Sequence, residues 1–535
     1  MKKRNLILVG ISVLMIGLSA YFLQPTEVIL EGVDYTKYHD MLTVFSKEER
    51  SLNTTYHDLM HDYLVEQLEQ RGLTVQLLDS AEEEVIYTQG GEIFEHGVSN
   101  IYATLPATVQ TEETKNIVFA SHYDSVEASY GAADAGLPVI SFFAGLDAIL
   151  DQERVNDISI LITDHEELGL VGANYVMDNY PEIVEGIDYL YNWEARGTSG
   201  NMILFETSEN DYQGVKNYIE VTDQRFAASI ATAVYSQMPN GSDFTTFMEA
   251  GISGMNFAMV EGFANYHTSL DHIDNIPMET FNYYVNNVVQ VMSNHATQPF
   301  AIENTQRSIY FNFFDASIIF PEWFVLASIV LTTLGAVAII GGFIAKKQLK
   351  IKQFGWSLIT VIAGFVAANI LVKIPVGIFG LFSTFKPYQP EAAKIRYTLL
   401  YNDVYIIILT ILLIAVVGIL IWWFNKKKWV TKESLLSTTL LLGCVLQGVL
   451  YNILFGSLVL TLVPLIVLEL CYFLNRIAKT TGFAVLVVAI LIPVLLPILY
   501  YVYIALTVNS AVIYMNLLMV VLVYFMSCWS SVEGK

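Results

Sequence analysis

Four short apolar, β-prone runs end in residue types that bind metals. Asn116 to Ser121 runs into His122-Tyr123-Asp124, and Ile158 to Thr163 into Asp164-His165-Glu166-Glu167. Tyr189 to Trp193 runs into Glu194, and Gly254 to Val260 leads through a short loop to His267. Asp134 completes the set. A single His-x-Asp or Glu-Glu is ordinarily a surface or capping pair. Coincidence at four strand ends is different, because ligands in open α/β sheets bind in the crevice beyond the strand carboxyl ends. Histidine and carboxylate donors suit zinc, and a shared carboxylate permits the metal spacing of roughly 3.5 to 4 Å found in two-metal sites.

The elements that must position these residues follow an α/β rhythm. Leu52 to Arg71 reads as an amphipathic helix and Thr74 to Leu78 as a strand; Leu137 to Leu150 and Met278 to Asn294 read as helices. Helices alternating with short strands predict an α/β domain with a mostly parallel central sheet. There is no internal repeat and no low-complexity segment.

Charge divides the chain. Residues 24–316 carry 46 Asp and Glu against 10 Lys and Arg, a net of −36, whereas the remainder carries 6 against 18, a net of +12. The acidic part suits one water-soluble domain and lacks the basic patches that a nucleic-acid partner requires. The remainder consists of apolar runs long enough to span hydrocarbon. Lys2-Lys3-Arg4 precedes the first, Leu6 to Leu23. It is read as a signal anchor over residues 1–23 rather than a cleaved signal peptide, because it is long, no small-x-small cleavage motif follows it and no Cys offers a lipoprotein link.

Seven further spans are expected over residues 317–535, forming an all-α transmembrane bundle: Trp323 to Ala345, Trp356 to Phe382, Val404 to Phe424, Leu435 to Tyr451, Leu454 to Leu474, Phe483 to Leu506 and Ala511 to Trp529. The basic loops Lys346 to Lys352, Lys426 to Lys432 and Arg476 to Lys479 then fall on the same side as Lys2. By the positive-inside rule that side is cytoplasmic, and residues 24–316 are extracytoplasmic. The loop holding Lys386, Lys394 and Arg396 is a modest exception. Lys373 and Glu469 lie within spans, near enough to the ends to snorkel. All three cysteines, Cys444, Cys471 and Cys528, fall in apolar runs, so the soluble part has no disulfide. That favours a bacterial cell surface over a eukaryotic lumen.

The ordered motifs resemble the di-zinc exopeptidases of metallopeptidase family 28. They read His122-Tyr123-Asp124, Gly131-Ala132-Ala133-Asp134, Glu166-Glu167-Leu168-Gly169-Leu170-Val171-Gly172, Glu194 and Tyr266-His267-Thr268. Asn192-Trp193-Glu194-Ala195 is similar to the multi-spanning vacuolar and endoplasmic-reticulum membrane branch. The resemblance implies a zinc-exopeptidase-like α/β/α sandwich holding two zinc ions. His122 and Glu194 would hold one zinc, Glu167 and His267 the other, and Asp134 would bridge them. Glu166 would be the general base and Asp124 would orient His122. The implied activity is removal of N-terminal residues from extracytoplasmic peptides at a lipid bilayer.

The sequence departs from the commonest pattern at three places. Glu194 stands where many relatives have Asp, Ala135 where many have a second acid, and no Tyr lies just before Ser242-Asp243 to donate to an oxyanion. His165 reads as a solvent-exposed loop residue, and His39, His57, His61 and His96 as surface residues. His272 with Asp271 reads as loop packing. Arg196 and Ser242-Asp243 divide evenly between lining a substrate pocket and an ordinary structural role. Asn53-Thr54-Thr55 and Asn240-Gly241-Ser242 fit the glycosylation sequon. The rival functions are another exopeptidase, a single-zinc glutaminyl cyclase, or a peptide-binding transporter or scaffold. Retention of every ligand type argues against the last two.

Overall fold

The computed structural model describes residues 3–25, 28–52, 54–80, 86–89, 92–95, 97–222, 226–238, 241–300, 306–380, 403–479, 482–505 and 511–532. They divide into two units. One comprises Gln24–Ala227 and Val234–Ser308; the other comprises Met1–Leu23, Ala228–Ala233 and Ile309–Lys535.

The first unit is built on nine strands: β1 Thr74–Asp79, β2 Ile86–Gln89, β3 Glu92–Glu95, β4 Ser99–Leu105, β5 Asn116–His122, β6 Asp157–Thr163, β7 Tyr189–Ala195, β8 Ser199–Thr207 and β9 Gly254–Glu261. Seven form one sheet in the order β1-β4-β6-β5-β7-β9-β8, and β2 with β3 makes a separate hairpin. The four central strands β6, β5, β7 and β9 are parallel, while β1, β4 and β8 pair antiparallel. The sheet is therefore mixed with a parallel centre, as the alternation predicts.

The β5 sequence Ile117-Val118-Phe119-Ala120 is continuously apolar because both of its faces are covered, the usual pattern of a parallel sheet. Val118 and Ala120 pack with Leu161, Ala173, Val176, Phe244 and Phe247 on one face. Phe119 meets Phe142 of helix Leu137–Ile149 on the other. The result is an α/β/α sandwich. Helix Leu137–Ile149 belongs to an apolar stretch, Ala132–Ile149, long enough to cross a membrane, yet 89 % of that stretch is buried inside the unit. It packs against helix Met278–Thr297. The chain passes from β5 to its neighbour β6 and then to β7 on the other side of β5. The crevice at the carboxyl end of β5 is thus a topological switch point.

The second unit is helical. Lys3–Phe22, Glu322–Ala345, Ile351–Gly380, Asp403–Lys426, Lys432–Ile453, Val459–Ile477, Ala484–Ala505 and Ala511–Val532 form over the N-terminal apolar run and each of the seven later ones. The short turn Phe455–Leu458 leads into Val459–Ile477. At 1.5 Å per residue, a helix of about twenty residues crosses about 30 Å of hydrocarbon. This unit is a multi-pass membrane domain. The loop with Lys386, Lys394 and Arg396 lies outside the described residues, as do His96, Asn53 and Asn240.

Glu469 departs from the expectation that it snorkels. It is only 7 % exposed and lies inside the bundle. A Cβ on Gly335 would come within 2.1 Å of Glu469 Oε2, so the glycine makes room for the carboxyl group. Helix packing, invisible in hydropathy, turns this side chain inward.

Candidate functional site

The site assembles where β5, β6, β7 and β9 end. Ala120 stands beside Asn192 in the parallel β5–β7 register, so two residues further on His122 and Glu194 come level. His122 Nε2 lies 3.3 Å from Glu194 Oε2 and 3.4 Å from Asp134 Oδ1. From the loop after β9, His267 Nε2 lies 3.0 Å from Glu167 Oε2 and 3.2 Å from Asp134 Oδ2. The two oxygens of Asp134 thus face different histidines. Bonds of 2.0 to 2.1 Å at tetrahedral angles place neighbouring donor atoms about 3.3 Å apart. The four separations fit that spacing.

Electrostatics favour cations here. Asp134, Glu166, Glu167, Glu194 and Asp243 surround two imidazoles, an excess of negative charge in a largely buried crevice. Burial alone would raise the Asp134 carboxyl, but His122 and His267 hold it below the usual range. Burial likewise opposes charge on His122, and Glu194, Asp124 and Asp134 outweigh it and raise its pKa well above the ordinary value. Glu166 is partly buried and, among the described residues, is not one of the carboxylates paired with His122 or His267. Burial, then Glu194, Glu167 and Asp243, raise its carboxyl against the pull of His122.

Asp124 does more than the motif implies. His122 Nδ1 lies 3.1 Å from the Asp124 carbonyl and 3.3 Å from Oδ1, which fixes the ring so that Nε2 faces the crevice. The same carboxylate accepts the backbone N–H groups of Glu166 (3.1 Å) and Glu167 (3.2 Å). It therefore ties the β5 loop to the turn carrying both glutamates. Asn192 holds Glu194 from the other side, its Nδ2 donating to Oε1 at 3.1 Å. Thus the Asn-x-Glu spacing places an amide beside the carboxylate, two residues apart on one face of β7.

Peptidase family M28 matches residues 100–292, a stretch that contains all seven of the residues singled out by chemistry. The chain carries a peptidase family M28 domain. The vacuolar membrane protease of Eremothecium gossypii is 24 % identical over 290 residues, 51 % of this chain and 27 % of that protein. The vacuolar membrane protease of Yarrowia lipolytica is 28 % identical over 213 residues, 38 % of this chain and 21 % of that protein. The matched stretch spans about a quarter of the length of these curated relatives. Among solved structures, the aminopeptidase from Aneurinibacillus sp. strain AM-1 aligns with 51 % of this chain and 96 % of its own, at 14 % identity and a TM-score of 0.40.

Several residues that shape the M28 domain's crevice escaped the sequence reading. Arg50 is fully buried. Its guanidinium donates to the carbonyls of Tyr123 (2.7 Å), Phe45 (3.1 Å), Tyr130 (2.8 Å) and Gly131 (2.9 Å), joining the loops that carry His122 and Asp134. Asp271, expected to serve loop packing, receives the backbone N–H groups of Ala133 (2.7 Å) and Asp134 (3.1 Å). Acceptance of two peptide N–H groups sets the direction in which Asp134 leaves its loop. The only sequence signal was position, since Asp271 follows His267 by four residues.

His57 and His165 are corrections: neither is at the surface of the M28 domain, being 6 % and 1 % exposed. His57 Nε2 and His165 Nδ1 lie 2.8 and 3.1 Å from Asp164 Oδ1, and the two rings stack at 5.3 Å. Burial of the helix Thr55–Gln70 face against the β6 end explains the change. His39 and His61 remain partly exposed. Ser242 and Asp243 are both tied into hydrogen bonds. Asp243 accepts from Thr163 Oγ1, and Ser242 accepts from Asn256 Nδ2 at 2.5 Å. Arg196 lies over the Phe263 ring, 5.1 Å from its centroid.

Proposed function

We propose that the M28 domain is a zinc exopeptidase that removes N-terminal residues from peptides. The observation that carries the reading is Asp134 presenting one oxygen to the His122–Glu194 pair and the other to the His267–Glu167 pair. His122, Glu194 and Asp134 would hold one zinc, and His267, Glu167 and Asp134 a second. When bound, the ions would supply Lewis-acid polarisation of the scissile carbonyl and acidify water. Glu166 stands in the turn beside Glu167 and is not paired with either histidine. Its carboxylate would take the proton from the attacking water and return it to the leaving amine. Asp124 would keep the His122 tautomer and the Glu166–Glu167 turn in register.

The basic loops Lys346 to Lys352, Lys426 to Lys432 and Arg476 to Lys479, separated from the catalytic residues by one, three and five spans, support an extracytoplasmic catalytic domain. Purified full-length protein in detergent is expected to hold two zinc equivalents by atomic emission and to cleave peptides with a free N-terminus in preference to N-acetylated ones. One equivalent together with cyclisation of N-terminal glutamine would overturn the di-zinc peptidase. Equal cleavage of free and blocked peptides would overturn the exopeptidase assignment while leaving the metal centre intact.

A further inference from the structure

Three membrane helices come together at one end around a cavity of about 320 Å³. Helix Glu322–Ala345 supplies Phe343 and is followed by Lys346 and Gln348; helix Lys432–Ile453 supplies Lys432, Glu433 and Leu436; helix Val459–Ile477 supplies Tyr472, Asn475 and Arg476. Three cations face one acid. Phe343 and Tyr472 pack edge to face at 5.6 Å and wall the cavity, while Arg476 Nη1 donates to the Tyr472 hydroxyl at 3.1 Å. The size falls within the range of small-ligand sites.

Helix electrostatics explain part of this arrangement. Lys346 and Arg476 lie at helix C-termini, where cations neutralise the terminal carbonyls. Lys432 does not fit that account. It occupies the first turn of its helix, where the dipole disfavours a cation, and Thr431 already caps that end through Ser434. With Glu433 the one acid in the lining, the three cations leave the cavity with a net positive charge that an anion would balance. The surroundings say which kind: Phe343, Leu436 and Tyr472 wall the cavity, and Ile344 and Ile477, next in the chain to the lining residues Phe343 and Arg476, are 59 % and 78 % exposed. An occupant with a phosphate and an apolar tail satisfies both the cations and this apolar rim.

We propose that this cavity binds the phosphate headgroup of an anionic membrane lipid, with Lys346, Lys432 and Arg476 as its cationic ligands. Lys350 and Lys352, nearby in sequence but absent from the cavity lining, serve as the internal control.

The test uses the full chain reconstituted in phosphatidylcholine nanodiscs doped with phosphatidylglycerol, followed by detergent extraction and mass spectrometry of retained lipid. The wild-type protein is expected to retain phosphatidylglycerol several-fold above its bulk proportion. The Lys432→Gln/Arg476→Gln double variant is expected to fall to the bulk ratio. Lys432→Arg and Lys350→Gln/Lys352→Gln are expected to keep the enrichment, which separates loss of charge from loss of fold. Retention in bulk proportion by the wild type would overturn the proposal. So would equal loss in the Lys350/Lys352 variant, which would indicate a diffuse basic face. Displacement of the lipid by millimolar inorganic phosphate would identify a free-phosphate site and overturn the lipid assignment.

Discussion

Asp134 is the residue on which the crevice turns, because each of its oxygens serves a different histidine. Asp134→Ala is expected to abolish activity and reduce bound metal to less than half by atomic emission, since both clusters lose a donor. Glu166→Gln should leave metal content unchanged while kcat falls by about 10²- to 10⁴-fold, the range associated with a positioned acid–base group. A variant that loses metal along with activity would move Glu166 into the ligand set. Asp124→Asn keeps the shape but weakens the hold on His122 Nδ1 and on two backbone N–H groups. Metal affinity should fall by about 10- to 100-fold in a chelator competition, as for other residues that orient a ligand.

At the scale of elements, the turn holding Glu166 and Glu167 is closed by its neighbours. Gly172 N–H donates to the Asp164 carbonyl at 2.9 Å, so helix Val171–Asn179 starts against the end of β6. A Cβ on Gly172 would lie 2.2 Å from that carbonyl oxygen and 2.4 Å from Asn100 Oδ1. The second glycine of the Gly-Leu-Val-Gly run is therefore a packing requirement. The first, Gly169, has φ of +102°, a conformation a side chain would strain. Gly172→Ala is expected to cost at least about 2 kcal/mol by overpacking against backbone, read as a lowered Tm in detergent. Activity should fall with it, because displacing Asp164 moves the adjoining glutamates.

On the scale of the whole molecule, acid stability carries a signature of burial. His295 lies in the core of the soluble unit, its Nε2 2.7 Å from the Tyr191 hydroxyl, and burial lowers its pKa to about 3. The unfolded chain takes up this proton near pH 6.5, whereas the folded one resists until about pH 3. Its contribution is therefore whole above pH 6.5 and is lost on acidification, by up to about 1.4 kcal/mol per pH unit inside that window. His295→Gln, which cannot charge, should flatten the stability profile between about pH 6 and pH 4 by about one proton. An unchanged slope would show that other groups carry the acid response. The crevice around Asp134 is separate in kind: it holds more carboxylates than imidazoles, whereas the described rings packed against His295, those of Tyr191 and Phe300, are uncharged.

The sequence by itself determined where the strands of the parallel centre lie, which residue types stand at their ends, and which runs are apolar enough for a membrane. Those features are local: strand alternation, helix periodicity and run length are written in consecutive residues. It could not determine β4 and β8, whose antiparallel pairings depend on which partners are already in the sheet. Nor could it place Arg50 or Asp271, which act on backbone groups 73 to 81 and 137 to 138 residues away and so leave no side-chain pattern to match. The same reason governs His57, His165 and Glu469, each polar by type and buried by packing. Only the tertiary structure decided that the two oxygens of Asp134 would face different histidines. That arrangement requires the ends of β5, β7 and β9, the loop of Asp134 and the Glu166–Glu167 turn to meet at one point, and long-range packing alone brings them there.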